Sequence, residues 1–230
     1  MYTLNEFESR EVLDEKLAHH IADVLTQAVN QKGKASIAVS GGSTPKGLFE
    51  KLSNMPLPWS NITVTLADER WVDFESKDSN TRLVHENLLK DNAKAATFFH
   101  IKQGEKLTSD VLATLNEQAL EQVLPFDVLI LGMGEDGHTA SLFPCSAEIK
   151  QGFAPDAQPL LAVQPTTAPH QRISFSFAHL AQSKSTILHI CGDSKKAVLE
   201  QALASDDHFE MPIRAFLHGD AANTSIFWAQ

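Results

Sequence analysis

The stretch Leu131-Gly132-Met133-Gly134-Glu135-Asp136-Gly137-His138-Thr139-Ala140-Ser141-Leu142-Phe143-Pro144 puts an imidazole and a neighbouring carboxylate on a glycine-softened turn. Histidine has the side chain whose unperturbed pKa lies nearest neutrality, so His138 can take a proton from water and return it to a leaving group. Asp136 is close enough in sequence to orient or polarise that ring. The chain holds 10 histidines, so residue type alone singles out none; the loop is what singles out His138. The same glycines satisfy a G-x-G-x-x-G pattern, which would suggest a dinucleotide. That reading fails on context. The fingerprint needs a helix running on from its third glycine, and Pro144 removes a helix donor soon after Gly137. No clear strand ending in an acidic residue follows about 20 positions on, as the fingerprint also requires.

Two further stretches offer matching chemistry. Ser40-Gly41-Gly42-Ser43-Thr44-Pro45 reads as a phosphate cradle. Its glycines let the backbone turn tightly, and Thr44 is expected to cap a helix whose first residue is Pro45, aiming N–H groups and the helix dipole at an anion. It is not a Walker loop, because no Gly-Lys-Ser/Thr follows. Ala67-Asp68-Glu69-Arg70-Trp71-Val72 sets two carboxylates and a guanidinium in a loop directly after a buried strand. A solvated ion-pair cluster would explain it, but Arg70 also offers a planar fork of donors to a substrate oxygen, with the acids Asp68 and Glu69 positioning it. Arg172 and Lys195 could complete an anion site, Lys195 from the turn after Gly192. A metal site built from Asp68, Glu69, Asp136 and His138 lacks the paired His/Cys spacing that would support it, so none is expected.

These loops need a scaffold that brings them together. Short apolar runs at 37–40, 62–66, 128–131, 160–163, 173–177, 186–191 and 225–227 read as strands. Helix-length stretches separate most of them. Leu13, Leu17, Ile21, Val24 and Ala28 share one helix face, and Val111, Leu112, Leu115, Ala119, Val123 and Leu124 share another. Alternation of strand and helix predicts an α/β fold, a Rossmann-like, mostly parallel sheet with helices on both faces. In such a sheet ligands gather at the carboxyl ends of strands, where all three loops fall. The run Arg172 to Phe177 alternates with period two, which suggests a more exposed or edge strand. Residues 151–171, with four prolines, are the weakest in regular structure and suggest a flap. No linker divides the 230 residues, so residues 1–230 are expected to form one domain.

Composition bounds the rest. A chain that is 43% hydrophobic and 21% charged is that of an ordinary globular protein. No run approaches the ~18 apolar residues of a membrane span, and the first ten residues lack a signal-peptide core, so a cytoplasmic, membrane-free protein is expected. A formal charge of -10 argues against nucleic acid and anionic lipid. Cys145 and Cys191 are too few for a disulfide framework and are expected to pack as plain thiols.

The sequences SGGSTP, ADERWV, Ser79-Asn80, LGMGEDGHTASLFP, the Arg172 strand, GDSKKAVLE and Pro212-Ile213-Arg214-Ala215-Phe216 occur in the order found in 6-phosphogluconolactonases. From about residue 36 onward the chain resembles the glucosamine-6-phosphate isomerase/6-phosphogluconolactonase family. The resemblance implies a fold shared with glucosamine-6-phosphate deaminase and ribose-5-phosphate isomerase, no metal or organic cofactor, and a place in the oxidative pentose phosphate pathway. It implies a phosphorylated sugar lactone as substrate, His138 as base with Asp136, Arg70 and Asp68, and phosphate held by Gly41, Gly42, Ser43, Thr44, Arg172 and Lys195. A monomer or weak homo-oligomer is expected. The deaminase branch follows its histidine with Ala-Phe-Asn-Glu and reads Asp-Glu-Tyr in the second loop. Here Thr139-Ala140-Ser141-Leu142-Phe143 follows His138 and Arg70 replaces the tyrosine, so that branch fits less well. A non-catalytic sugar-phosphate sensor would keep the cradle but would not need Asp136, His138 and Arg70.

Overall fold

A computed structural model describes residues 2–218 and 223–230. Its chain order is β1 (Tyr2–Phe7), α1 (Arg10–Lys32), β2 (Ala35–Val39), α2 (Lys46–Asn54), β3 (Ile62–Leu66), β4 (Asp68–Arg70), α3 (Asn80–Asn87), β5 (Thr97–Phe98) and α4 (Ser109–Gln122). There follow β6 (Val128–Leu131), α5 (Ile149–Gly152), β7 (Leu160–Val163), β8 (Arg172–Phe175), α6 (Phe177–Leu180), β9 (Ser185–Cys191), α7 (Asp193–Leu203), α8 (Arg214–Leu217) and β10 (Thr224–Ala229).

Seven strands form one sheet in the order β1-β10-β9-β6-β2-β3-β5, and every pairing in it is parallel. A parallel strand covered on both faces reads as a continuous apolar run, which is why Val128-Leu129-Ile130-Leu131 is buried throughout. The helices wrap this sheet. α1 does so through Leu13, Leu17, Ile21 and Leu25, each wholly buried. Ser9 accepts a hydrogen bond from the Val12 N–H at its start, and Gly33 closes its end in the left-handed conformation (φ 77°). The sheet order contains a switch point. From β2 the chain moves outward to β3 and β5, whereas from its neighbour β6 it moves the other way to β9 and β10. The loops leaving β2 and β6 therefore part, and a crevice opens between them.

A second sheet, β4-β8-β7, is antiparallel, and it corrects two expectations. The segment 68–70 is a strand rather than a loop, because its pairing partner lies a hundred residues downstream. Arg172–Phe175 is the central strand of this small sheet and all four residues are buried, so it is neither exposed nor an edge. Its period-two pattern arises because the polar face, Arg172 and Ser174, is covered by the His138 loop instead of water: the Ser174 hydroxyl accepts from the Ser141 N–H at 3.1 Å. The 151–171 segment holds β7, whose Leu160, Leu161 and Val163 are buried. Residues 153–159 and 164–171 are irregular, and the second stretch is tied at its end by the Trp71 N–H to the Gln171 carbonyl (2.7 Å). The amino-terminal strand β1 carries no sequence signal, since Thr3, Asn5 and Glu6 interrupt its apolar residues and it pairs on one side only.

Candidate active site

The loop leaving β2 is shaped by its glycines. Gly42 has φ 99°, a conformation that side chains rarely adopt. At Gly41 a Cβ would lie 1.9 Å from Asn80 Oδ1, so the bare backbone lets the Asn80 side chain close in. Asn80 in turn donates to the Asp68 carbonyl at 3.2 Å, joining the loop to β4. The expected cap is absent: helix α2 starts at Lys46, Pro45 takes the cap position, and no side chain bonds the first N–H groups. Proline supplies the helical φ for the turn, and Thr44 is left within the turn beside the crevice.

The loop leaving β6 folds back on itself. The Gly134 N–H donates to the His138 carbonyl (2.8 Å), and the Gly137 N–H donates to the Gly134 carbonyl (3.1 Å). Gly137 has φ 72°. No helix runs on from it; the next one begins at Ile149. This tight ring brings His138 Nδ1 within 2.6 Å of Asp136 Oδ1, which also accepts from the His138 N–H at 3.1 Å. The pair rests on bare backbone, for a Cβ on Gly134 would sit 2.0 Å from His138 Nδ1 and 2.7 Å from Asp136 Oδ1. Burial alone would raise the Asp136 carboxyl, but the hydrogen bonds and charge of His138 outweigh it and hold it below the usual range. On the other side the His138 ring stacks on Phe143, with centroids 4.0 Å apart.

The small sheet supplies the charged wall. Strand alternation turns Asp68 and Arg70 to one side of β4 and Glu69 to the other. Glu69, 1% exposed, accepts from the N–H groups of Arg70, Asn80 and Thr81 at 2.7, 2.9 and 2.6 Å. It anchors the start of α3 and stays out of the crevice. Burial raises its pKa while those N–H groups pull it down. Arg70 stands directly opposite Arg172 in the β4–β8 register. Arg70 donates to the Asp78 carbonyl (2.7 Å), and Arg172 lies 3.9 Å from Asp68 Oδ2 and 5.1 Å from the Phe143 ring. Burial pushes the Arg172 guanidinium down and the Asp68 charge opposes it; an arginine stays charged under either influence. Asp68 also accepts a short hydrogen bond from the Ser141 hydroxyl. Nε of both arginines is buried without a hydrogen-bond partner among the described residues.

These walls enclose a cavity of about 260 Å³ at the switch point. It is lined by Gly41, Gly42, Ser43, Thr44, Asp68, Arg70, His138, Arg172 and Lys195, so nine of the ten residues singled out from sequence meet there. The tenth, Asp136, stands behind His138. Lys195, in the first turn of α7, is held by Glu135 of the His138 loop at 2.7 Å. Sequence reading missed His189, which lies in the middle of an apolar strand and also lines the cavity. It also missed the setting of Cys145. Cys191 packs as expected and burial raises its thiol. Burial would raise Cys145 as well, but contacts with Thr166 and Thr167 bring it down to about 7, so it is not a plain apolar filler. Among the described residues, no three His, Cys, Asp or Glu side chains converge as a metal would require, and no helix is long and apolar enough to cross a membrane.

Fold and crevice define an open parallel α/β protein whose switch point joins a histidine–carboxylate pair to cationic side chains and a glycine turn. Comparison with known proteins narrows the class. The family described as glucosamine-6-phosphate isomerases/6-phosphogluconolactonase matches residues 8–228. A 6-phosphogluconolactonase of Rhizobium meliloti is 42% identical over 224 residues, covering 97% of both chains. One of Pseudomonas putida is 43% identical over 230 residues, covering 98% of this chain and 92% of its own. The crystal structure of a 6-phosphogluconolactonase from Shewanella baltica superimposes with a TM-score of 0.96 at 42% identity, covering 100% and 98%. The chain belongs to the glucosamine-6-phosphate isomerase/6-phosphogluconolactonase family.

Proposed function

We propose that this chain hydrolyses 6-phospho-D-glucono-1,5-lactone to 6-phosphogluconate, the second step of the oxidative pentose phosphate pathway. The observation that carries the reading is the Asp136–His138 pair. With Nδ1 committed to Asp136 at 2.6 Å, the ring has Nε2 left to act as base. The Gly41 to Thr44 turn, Arg172 and Lys195 hold the phosphate, which exchanges with Glu135 for the Lys195 ammonium. That fixes the lactone carbonyl near His138, and positioning contributes much of the rate. His138 takes a proton from water as its oxygen bonds to C1. The carbonyl oxygen gains the charge, stabilised by Arg70 or loop N–H groups, with Asp68 aligning Arg172. Collapse of that adduct breaks the bond to the ring oxygen, and His138 returns the proton there. No cofactor enters these steps. The protein acts in the cytoplasm as a single domain, alone or in a weak homo-oligomer.

The test generates the lactone with glucose-6-phosphate dehydrogenase and follows its decay with and without the protein, against the spontaneous rate. Accelerated decay is the expected result. A decay rate equal to the spontaneous one, with ammonia released from glucosamine-6-phosphate, would move the chain to the deaminase branch. Binding of the sugar phosphate with neither reaction would make it a sensor.

A further inference from the structure

One polar group in the cavity wall is left unused by this chemistry. His189 of β9 is 3% exposed between the buried apolar residues Leu188 and Ile190. The residue lines the same cavity as Gly42, Thr44 and Lys195. An imidazole so deeply buried is costly unless its nitrogens are satisfied. Nε2 lies 3.4 Å from Asp14 Oδ1 on α1. Neither ring nitrogen has a hydrogen-bond partner among the described residues, the contact to Asp14 being one of charge.

Asp14 is itself 8% exposed, and its place is made by a glycine: a Cβ on Gly47 would lie 2.2 Å from Asp14 Oδ2. Gly47 belongs to the first turn of α2, where the helix end favours a negative charge. Among the described residues the group within ion-pair distance of the Asp14 carboxyl is His189. In its protonated form the ring has two N–H donors. One faces Asp14, and the other has no acceptor among the described residues. Other ionic groups nearby are Lys195 of α7 with the Glu135 that holds it, Arg10 beside Gly192, and Glu11, Glu15, Glu50 and Lys51 around Asp14.

We infer that His189 is a further contact to the phosphoryl group of the substrate, donating Nδ1–H to a phosphate oxygen, with Asp14 as the positioning residue that fixes the ring. This rests on the cradle reading above, and it adds a buried donor from β9 to the backbone N–H groups and Lys195.

The decisive probe is inorganic phosphate added to the whole chain, followed by nuclear magnetic resonance of histidine rings and backbone amides. The His189 ring signals should shift together with the Ser43 and Thr44 amides. In Asp14→Asn the affinity for phosphate should fall by about 3-fold, because a neutral amide orients the ring less firmly. Amide shifts at Ser43 and Thr44 with an unmoved His189 ring would overturn the contact; no shift at any of them would remove the cradle and the contact together. A shifted ring in a protein without lactonase activity would leave the contact standing and sink only the proposed reaction.

Kinetics give the second arm. In His189→Asn the amide nitrogen takes roughly the place of Nδ1, whereas in His189→Gln it takes that of Nε2. The Gln variant should raise KM for the phosphorylated lactone about 10-fold, and the Asn variant less, with kcat altered under ~2-fold. Both variants should handle unphosphorylated gluconolactone as the wild type does. A KM that rises equally for both lactones would assign His189 to the fold or to a sugar hydroxyl and overturn the inference.

Discussion

The two sheets contribute to the cavity in opposite ways. The seven-stranded parallel sheet is largely apolar through its strands, His189 of β9 being the exception at the cavity, and it shapes the crevice mainly from the loops that follow the strands, where Gly41, Gly42, Gly134 and Gly137 expose backbone and shape turns. The small antiparallel sheet delivers chemistry from within its strands, burying Asp68, Glu69 and Arg172 as side chains. In the proposed reaction a phosphate or oxyanion would meet fixed dipoles on one side and fixed charges on the other. The first arrangement tolerates almost no added volume. The second tolerates no unpaired charge, because a lone buried ion is far more costly than a paired one.

Removing the proton carrier should give the largest effect. His138→Ala should lose at least ~100-fold in kcat while 6-phosphogluconate still binds, as measured by steady-state rates and product titration. A wild-type rate in that variant would take the histidine out of the mechanism. On the small sheet, Arg172→Gln should cost about 1.5 to 3 kcal/mol, roughly 10- to 150-fold in kcat/KM, for the phosphorylated lactone. Unphosphorylated gluconolactone should barely register the change; equal losses on both would move Arg172 from phosphate to carbonyl. Gly134→Ala tests the loop side by volume alone. The new methyl must displace the His138 ring, and a shift of about 1 Å should lower kcat roughly 10- to 100-fold with the melting temperature little changed. If kcat holds, the ring has room that the geometry denies it.

Two smaller effects concern stability. Glu69→Gln removes one acceptor from a carboxylate that serves three N–H groups, so about 1 to 3 kcal/mol should be lost, or roughly 2–4 °C in Tm per kcal/mol. Activity per folded molecule should persist, because Glu69 faces away from the cavity. The last prediction concerns the thin rim of the large sheet, where His85 stacks against His100 with centroids 5.9 Å apart. Burial lowers the pKa of both, and the charge of His85 adds to the effect at His100. The unfolded chain then binds protons first, so their contribution is complete above about pH 6.5 and is lost as pH falls through the lowered folded values. Calorimetry from pH 7.5 to 5 should show Tm falling, with a shallower slope in His85→Gln. Glu69 works the other way, but only near the acidic range of carboxyls, because its raised pKa favours the protonated fold.

The residues to which the proposed chemistry is assigned were largely legible in sequence because most lie in short, local, glycine-marked loops directly after apolar strands. The turn around Gly134 and His138 is closed by hydrogen bonds within five residues, so its sequence carries its shape. The parallel sheet was legible for a similar reason: strands buried on both faces must be apolar runs, and helices must show a stripe. Tertiary structure alone decided the second sheet. Asp68-Glu69-Arg70 has the composition of a surface loop, and only pairing with Arg172–Phe175 makes it a buried strand. It also decided which acid faces the cavity, since alternation assigns Asp68 to the crevice and Glu69 to α3 only once a strand exists. The buried His189 and Asp14 lie 175 positions apart and announce nothing separately. Local sequence can specify a turn or a stripe, whereas the environment of a buried charge depends on contacts that no local window contains.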